Sequence, residues 1–286
     1  MSRALVLGGG GPVGIAWETG LIAGLAEGGV DVSDADWILG TSAGSVVGAQ
    51  LATGRSPAGL LEAEYAQAAR AKEASGRSGP APDLGPLMAL MAKRTPGQTP
   101  SRELLIEFGQ MALAAKTLPE EAYLAGFGRL AEEDRPWPER FACTAVDAES
   151  GEFVVWSKDT AAPLGRAVGS SCCVPGIFPP VAIDGRRYID GGMRSGTNAD
   201  LAHDHAKVLL VAVVPPAFAA FMMGGIEGEL EKVRAKRGQT CLLVPDAASG
   251  EAFGPNLMDG SRREPIARAG FAQGLQAADK VRAFWG

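Results

Sequence analysis

The residues best suited to chemistry begin with a serine set among small residues, in the sequence GTSAG at positions 40–44. A strand pattern precedes this Gly-x-Ser-x-Gly motif and a helix pattern follows it. In that context Gly40 and Gly44 let Ser42 occupy a tight, strained turn, which exposes its hydroxyl and frees the next amide. A glycine loop that only caps a helix would have the same composition, but the strand-to-helix context favours a nucleophile.

A second motif, GGGGPVG at positions 8–14, lies where an earlier strand pattern gives way to a helix pattern. Amides at a helix N-terminus favour negative charge, so such a loop can cradle a pyrophosphate or hold the oxyanion of an acyl-transfer intermediate. Glycines that serve only as a tight turn are a further alternative. The oxyanion interpretation needs a nearby nucleophile, and adjacent parallel strands would bring this loop and Ser42 to the same sheet edge.

A third motif, Asp190-Gly191-Gly192, comes directly after the strand pattern RRYI. An aspartate followed by two glycines can approach another backbone closely because no side chain follows it. By itself such a sequence is more often a common turn. The other two motifs shift the balance towards a functional aspartate.

Serine hydrolases usually place a histidine beside the nucleophile, and this chain has two, His203 and His205. The order Ser42, Asp190, histidine would match an α/β-hydrolase triad, so a Ser-Asp-His esterase is the enzymatic alternative. That fold normally presents its serine after several strands, whereas Ser42 follows only the second strand pattern, which favours solvated histidines at a helix end. A metal site is less favoured still, because no third histidine or Cys-x-x-Cys pair supports it.

The elements that must position these motifs alternate between strand and helix patterns. Strand patterns lie at 4–7, 36–39, 140–146, 152–156, in VAIDGRRYI with its Asp184-Gly185 turn, in KVLLVAVV and in TCLLV, and helix patterns lie at 15–26, after 42, at 217–237 and at 263–284. This order predicts an α/β fold, a three-layer sandwich with a mainly parallel central sheet.

Alanine-rich helical segments interrupt this alternation over about 56–135, with SGRSGPAPDLGP and RTPGQTP as loops, which predicts a helical insertion. A stripe of apolar side chains in it is more often core than acyl groove. Exposure of some of them around Ser42 would favour an acyl chain and transient peripheral contact with lipid surfaces. The stripe comprises Leu87, Met88, Leu90, Met91, Leu104, Leu105 and Phe108.

The composition bounds the remaining possibilities. With 286 residues, 46% of them apolar, the chain can bury one sizeable core, and we expect a single domain over 1–286. A net charge of -6 offers no basic stripe for nucleic acid. The four cysteines lack a Cys-x-x-Cys pair, and the start is too short for a secretory signal, so we expect a reduced, cytoplasmic setting.

The three motifs, in this order and spacing, resemble the patatin-like phospholipases. The resemblance rests on GGGGPVG, GTSAG, SSCCVPGIFPPVAIDGRRYIDGG and the following asparagine-containing loop, and it spans much of residues 4–214. It implies an α/β acyl hydrolase that uses a Ser-Asp dyad without a histidine or a cofactor. It also implies a lipid ester as substrate, cleaved in the manner of a phospholipase A or lysophospholipase through an acyl-enzyme.

Carried onto this sequence, the resemblance makes Ser42 the nucleophile and Asp190 the general base, with the oxyanion hole in the glycine loop. The proline of that loop has no N–H to donate. The implied amide donors are Gly9, Gly10, Gly11 and Ala43.

Two positions depart from the family pattern. Val13 stands where the glycine loop usually carries Arg or Lys, and Trp17 stands where many bacterial members have His. Loss of that cation would weaken oxyanion stabilisation or phosphate affinity, but it leaves the backbone donors in place.

Two further classes of protein remain as alternatives. Gly9, Gly11 and Gly14 match the G-x-G-x-x-G of nucleotide-binding modules, which also need an acidic residue at the end of the second strand. Asp34 and Asp36 instead precede that strand pattern, which argues against such a module. A catalytically silent acyl-binding protein is the other alternative, and an intact Ser-Asp pair argues against it.

Overall fold

In a computed structural model that describes residues 1–74, 84–132 and 135–286, eight strands form one sheet. The strands are β1 (Arg3–Leu7), β2 (Trp37–Gly40), β3 (Phe141–Asp147), β4 (Phe153–Trp156), β5 (Val181–Ile183), β6 (Arg186–Asp190), β7 (Lys207–Val211) and β8 (Gln239–Leu243). The helices are α1 (Gly11–Glu27), α2 (Ala43–Ala52), α3 (Pro57–Ala74), α4 (Gly85–Met91), α5 (Arg102–Ala114), α6 (Glu120–Leu124), α7 (Leu164–Ser171), α8 (Ala219–Ala235), α9 (Ala247–Phe253) and α10 (Arg263–Trp285).

The sheet is mixed and mostly parallel. Its order is β5-β6-β3-β2-β1-β7-β8, with β4 also pairing with β3. The strands β3, β2, β1, β7 and β8 run parallel, while β4, β5 and β6 join as antiparallel strands. Asp184 and Gly185 connect β5 to β6 with φ values of 49° and 76°, the positive values that a two-residue hairpin turn requires.

Side chains of the central strands alternate between two apolar layers. In β1, Leu5 and Leu7 pack into the core shared with α1 and α10, whereas Ala4 and Val6 pack into the core shared with α8. Helices therefore cover both faces of the sheet, and the predicted α/β sandwich is confirmed. Because both faces are buried, the carboxyl ends of the strands are where the chain can place functional groups.

Glycines bring α1 and α10 into close contact. A Cβ atom added at Gly20 or Gly24 would collide with a backbone carbonyl oxygen of α10, and one at Gly274 would collide with a carbonyl oxygen of α1. Next to these glycines, the buried Trp17 Nε1 donates a hydrogen bond to Gln273 Oε1 at 3.0 Å. The end of the chain thus fixes the helix that follows the glycine-rich loop.

Helices fill the described part of the region between β2 and β3, as the predicted insertion at 56–135 requires. The predicted loop SGRSGPAPDLGP lies largely outside the described residues, and RTPGQTP contains no helix or strand. Leu104, Leu105 and Phe108 of α5 are buried with Val146 and Ile189 of the sheet, whereas α4 has no buried residue. The assignment of the whole chain to a single domain stays a prediction.

Within the described parts of the chain, no helix combines the length and apolar character needed to cross a bilayer.

Candidate active site

Ser42 lies on a sharp turn between β2 and α2. Its φ of 51° and ψ of −116° fall in a region that residues with a side chain rarely occupy. The turn needs small neighbours, because a Cβ atom at Gly40 would collide with Ser45 and one at Gly44 would collide with the backbone of Leu7. The glycines of the motif therefore have a steric reason as well as a conformational one.

Residues at the carboxyl end of α7 help to hold the backbone of this turn. The N–H of Ser42 donates to Ser171 Oγ at 3.0 Å, and its carbonyl oxygen accepts hydrogen bonds from Ser45 Oγ at 2.6 Å and Cys172 Sγ at 3.1 Å. Burial raises the pKa of the Cys172 thiol, and the nearby Asp190 carboxylate adds to this, so the thiol stays protonated. The Ser42 side chain is left free of these backbone contacts.

Asp190 ends β6, where it pairs with Ala145 of β3. Its Oδ1 accepts a hydrogen bond from the N–H of Gly192 at 2.7 Å, and the Ser42 side chain lies close enough to its carboxyl group to affect the pKa of that group. A Cβ atom at Gly191 would collide with Thr144, so this glycine is needed for close approach to β3. The two residues singled out by sequence therefore lie together, with Ser42 only 7% and Asp190 only 2% exposed.

The environment of Asp190 changes its proton affinity. Burial raises its pKa from the ordinary 3.8 to about 7, while the nearby Ser42 hydroxyl and the N–H of Gly192 act in the opposite direction. The desolvation effect wins because a buried carboxylate loses its water shell. A carboxyl group with this pKa is half ionised near neutral pH, which suits a general base.

The glycine-rich loop lies directly against the serine turn. A Cβ atom at Gly9 would be 3.3 Å from Ser42 Cβ, and one at Gly14 would be 3.2 Å from Ala43 Cβ. Gly11 has a φ of 58°, which turns its amide out of the ordinary helical direction. The loop, the serine turn and Asp190 therefore form one cluster at the carboxyl ends of β1, β2 and β6.

The amides of this cluster differ in their hydrogen bonding. Gly9 donates to the carbonyl oxygen of Gly196 at 2.7 Å, so its N–H is already engaged. For the amides of Gly10, Gly11 and Ala43, the structure gives no acceptor among the described residues. The geometry thus favours these three amides over Gly9 as donors to a ligand.

A buried polar network supports the cluster and was not identified from the sequence. Asn198 Nδ2 donates to Thr41 Oγ1 at 3.0 Å and to the carbonyl oxygen of Ser195 at 2.8 Å. Thr41 Oγ1 lies 2.9 Å from Thr144 Oγ1. These contacts tie the serine turn to β3 and to the loop after Asp190, which fixes their relative position.

A second buried carboxyl group, Glu18 on α1, was also not identified from the sequence. Both of its oxygens lack a hydrogen-bond partner within the described residues. Burial raises the pKa of Glu18 well above its ordinary 4.5, opposed only in part by the backbone of Gly8. Burial thus favours the neutral form of this side chain, which lies near the backbone of the glycine-rich loop.

The two histidines lie elsewhere. His205 stacks on Trp37, the first residue of β2, with 5.2 Å between ring centroids, whereas Ser42 follows the opposite end of that strand. At about 3.3 Å per residue, five residues of extended chain separate these positions by roughly 16 Å. His203 Nδ1 lies 2.7 Å from the carbonyl oxygen of Asp200. The structure thus gives no support to a Ser-Asp-His arrangement.

Groups of His, Cys, Asp or Glu that could hold a metal ion do not occur within the described ranges.

The two positions that depart from the family pattern are both buried. Val13 is fully enclosed, and its N–H donates to the carbonyl oxygen of Leu257 at 3.2 Å. Trp17 is also fully enclosed and faces α10. Both side chains are therefore shielded from solvent.

A cavity of about 490 Å3 opens beside the cluster. Gly9 and Gly192 line it next to Ser42 and Asp190. Its apolar lining includes Met88, Met91, Phe218, Phe221 and Met222, with Met88 47% and Phe218 44% exposed. The predicted apolar stripe therefore divides. Met88 and Met91 of α4 line the cavity, whereas Leu87 and Leu90 pack against the core formed with α5.

Comparison with known proteins follows this geometry. A family model described as patatin-like phospholipase matches residues 5–203. No sequence among the curated proteins matches the chain.

Among solved structures, the chain is similar to VipD from Legionella pneumophila, with 13% identity and a TM-score of 0.46 over 98% of this chain and 67% of that one. The type III effector ExoU has 17% identity and a TM-score of 0.44 over 98% of this chain and 53% of that one. The ExoU–SpcU complex from Pseudomonas aeruginosa gives 19% identity and a TM-score of 0.40, over 96% and 52%. The chain thus spans about half the length of ExoU.

The family match covers more than half of the chain and includes the glycine-rich loop, the serine turn and Asp190. The chain belongs to the patatin-like phospholipase family.

Proposed function

We propose that this protein is a serine acyl hydrolase that cleaves carboxylic esters of lipids, with Ser42 as nucleophile and Asp190 as general base. The observation that carries the proposal is the position of the Ser42 side chain beside the buried carboxyl group of Asp190, whose pKa burial raises to about 7. Membership of the phospholipase family supports a lipid substrate. The apolar cavity beside the pair supports it as well.

In the first step, Asp190 accepts the proton of the Ser42 hydroxyl while Oγ attacks the ester carbonyl carbon. The new Oγ–C bond makes a tetrahedral intermediate, whose negative oxygen lies against the amides of Gly10, Gly11 and Ala43. The bond from carbon to the alcohol oxygen then breaks, and Asp190 returns its proton to the leaving alcohol. An acyl group now esterifies Ser42.

In the second step, water replaces the alcohol. Asp190 takes one proton from the water as its oxygen attacks the acyl carbon, and the same amides receive the second oxyanion. The bond between Ser42 Oγ and the carbon breaks, Oγ recovers the proton from Asp190, and the fatty acid leaves. Atoms and protons balance over the cycle, so no cofactor enters it.

An aspartate at its ordinary pKa is too weak a base for an alcohol, so its environment must contribute. The raised pKa of Asp190 reduces the difference in pKa between this carboxyl group and the serine hydroxyl. Preorganised amide donors supply much of the remaining rate, since each one is worth a factor of about 100 to 1,000. The positive φ of Ser42 fixes the backbone of the turn before substrate binds, so the serine need not move to reach the ester.

The apolar side chains that line the cavity support an amphiphilic ester as substrate. We infer that it is cleaved in the manner of a phospholipase A or lysophospholipase. Met88 and Phe218 are partly exposed at the cavity and offer a transient contact to a lipid surface. A catalytically silent acyl-binding protein would use the same cavity without turnover.

The test is hydrolysis of p-nitrophenyl acyl esters of increasing chain length by the purified protein. We expect Ser42→Ala and Asp190→Asn to lose activity by about 10⁴-fold or more, and His203→Ala/His205→Ala to keep it. A matched melting temperature for each variant shows that the fold is intact. Loss of activity in the histidine variant would replace the dyad by a triad.

Labelling of Ser42 by a fluorophosphonate probe separates an enzyme from a silent binding protein. We expect the wild type to be labelled stoichiometrically and Ser42→Ala to be unlabelled. A folded wild type that neither labels nor hydrolyses any ester would contradict the proposed function.

A further inference from the structure

Three cations and one carboxylate line the cavity beside Ser42. Arg194 Nη2 lies 2.7 Å and Lys232 Nζ 3.2 Å from Asp200 Oδ2, so both of these cations have a carboxylate partner. Arg94 has no ion pair with a carboxylate among the described residues. In a protein with a net charge of -6, this leaves one available cation in an apolar cavity.

The guanidinium of Arg94 is held by neutral groups. Nη2 donates to the carbonyl oxygen of Arg194 at 3.0 Å, and Nη1 lies 3.5 Å from the carbonyl oxygen of Gly192 and 3.7 Å from Met91 Sδ. A guanidinium has five N–H donors, so these contacts leave others for a ligand. Burial lowers the pKa of Arg94, but arginine remains ionised in proteins.

The carboxylate that lines the cavity, Glu229, is engaged elsewhere. Its Oε2 accepts hydrogen bonds from the amide of Ala199 at 2.7 Å and from the Thr197 hydroxyl. Against the effect of burial, the charge of Glu229 raises the pKa of Arg94, but it acts at a distance, since no ion pair joins the two side chains. Arg94 is therefore not neutralised by a direct partner on the cavity wall.

A single residue connects this cation to the proposed base. Gly192 donates its N–H to Asp190 Oδ1 at 2.7 Å, and its carbonyl oxygen faces Arg94 Nη1 at 3.5 Å. The carboxyl group of Asp190 and the guanidinium of Arg94 thus contact the two sides of one residue, Gly192. In a glycerophospholipid, the phosphate and the acyl esters are likewise separated by only the glycerol carbons.

We propose that Arg94 binds the phosphate of a phospholipid headgroup while the apolar wall of the cavity takes the acyl chain, which makes Arg94 a specificity-determining residue. This inference rests on the proposed function. A planar guanidinium matches two phosphate oxygens, and such charge-assisted contacts are among the strong ones in proteins. Arg94 follows α4, so the region between β2 and β3 supplies the residue that contacts the headgroup.

The test compares two substrates with the same acyl chain, 1-oleoyl lysophosphatidylglycerol and 1-oleoylglycerol, in uncharged detergent micelles. We expect Arg94→Gln to lower the ratio of kcat/KM for the phosphate-bearing substrate over the neutral one by about 10- to 100-fold, mainly through KM. Arg94→Lys should recover part of that ratio, since it keeps the charge but loses the bidentate geometry.

Lys93→Gln is the matched control. It removes the same charge from the adjacent residue, but Lys93 pairs with Glu107 and does not line the cavity. We expect its selectivity ratio to equal that of the wild type. An equal fall in the Lys93 variant would show a general effect of net charge and overturn the inference.

A purely structural role of Arg94, exerted through the Gly192 carbonyl, would lower turnover of both substrates and leave their ratio unchanged. That result would also overturn the inference.

Inorganic phosphate distinguishes a headgroup site from a site for the free anion. We expect millimolar phosphate to compete weakly with the lysophospholipid, whereas competition as strong as that of the lipid itself would assign the site to the free ion.

Binding measured in the Ser42→Ala background separates this inference from the proposed function. We expect calorimetry to show tighter binding of the lysophosphatidylglycerol than of the oleoylglycerol, and Arg94→Gln to remove that preference. This preference would remain even if the wild type hydrolysed neither ester. Equal affinity for the two lipids would contradict the headgroup site, whatever the catalytic result.

Discussion

Glycine has different roles in two regions of this molecule, the contact between α1 and α10 and the glycine-rich loop beside Ser42. In the α1–α10 contact, Gly20, Gly24 and Gly274 have helical backbones, and the missing side chains let two helices touch along their main chains. At the carboxyl edge of the sheet, Gly11 has a φ of 58°, and its amide has no acceptor among the described residues. In the helix contact the missing side chain serves close packing alone, whereas at Gly11 the glycine also permits a positive φ and leaves an amide without an acceptor among the described residues.

The two regions also differ in the sign of their effect on stability. Close backbone packing stabilises the fold, since well-packed atoms gain dispersion energy at every contact. A serine at positive φ, a desolvated carboxyl group and free amides each destabilise it. The helix α1 joins the two regions, because it begins at Gly11 and carries Gly20 and Gly24 further along. The stability of the helix contact therefore offsets the strain of the candidate site.

The largest expected effect tests the helix contact. Gly24→Val places a branched side chain against the backbone of α10, so we expect a loss of about 3 kcal/mol or more in the free energy of unfolding. Urea denaturation followed by circular dichroism measures it. Gly224→Val is the matched control, since a Cβ atom there meets nothing within 4 Å on α8. A small effect at Gly24 would show that the contact is not tight.

The next effect tests the other use of glycine. Gly11→Ala forces a side chain onto a positive φ, which tilts the amide away from the oxyanion position, and we expect kcat to fall by about 100-fold. A Cβ atom at Gly11 would also meet Met258 and the carbonyl oxygen of Leu257, so we expect the melting temperature to fall as well, and kcat is compared at a temperature where the variant is fully folded. Gly185→Ala imposes the same strain at a φ of 76° in the β5–β6 turn, far from Ser42 in the sheet, and should keep full activity.

A third effect follows from the proton affinity of Asp190. The base must be ionised, so kcat/KM should rise with pH to a plateau above about 7 and fall tenfold per pH unit below it. A pH–rate profile with a neutral ester measures this. An acid limb near pH 4 would show that the carboxyl group is not desolvated during turnover.

The smallest effect concerns stability at the same residue. The pKa of Asp190 is about 7 in the folded state against an ordinary 3.8, so the folded state binds more protons between these values and loses stability as pH rises through them. Asp190→Asn cannot ionise. We expect it to exceed the wild type by about 1–3 kcal/mol above pH 7, and to match it near pH 4. A variant less stable at pH 8 would contradict the desolvation argument.

The sequence identifies those parts of the site that depend on local spacing. Ser42 and Asp190 each stand at the end of a strand pattern, and the rule that parallel strands end at one edge brings the serine turn and the glycine loop together. Which amide of that loop is free could not be predicted, because the Gly9 N–H is engaged by a carbonyl oxygen from residue 196. That contact has no local signature.

Other features were missed for the same reason. Arg94 lies in a segment whose sequence predicts only a loop, and its position depends on contacts with residues about 100 positions away. Asn198 likewise acts through side chains from distant strands. The α1–α10 contact did have a signal, since Gly20 and Gly24, and Gly270 and Gly274, are each spaced four apart on one helix face.

The bond between Trp17 and Gln273 joins residues 256 positions apart, which has a consequence for how the chain folds. Contacts of such high order form late, because a long loop must close before they are gained. The helix α1, which follows the glycine-rich loop, lacks its packing partner α10 until residues 263–285 have docked. During synthesis the emerging chain therefore carries both Ser42 and Asp190 before α1 has gained its contact with α10, and the candidate site is complete in sequence before it is fixed in structure.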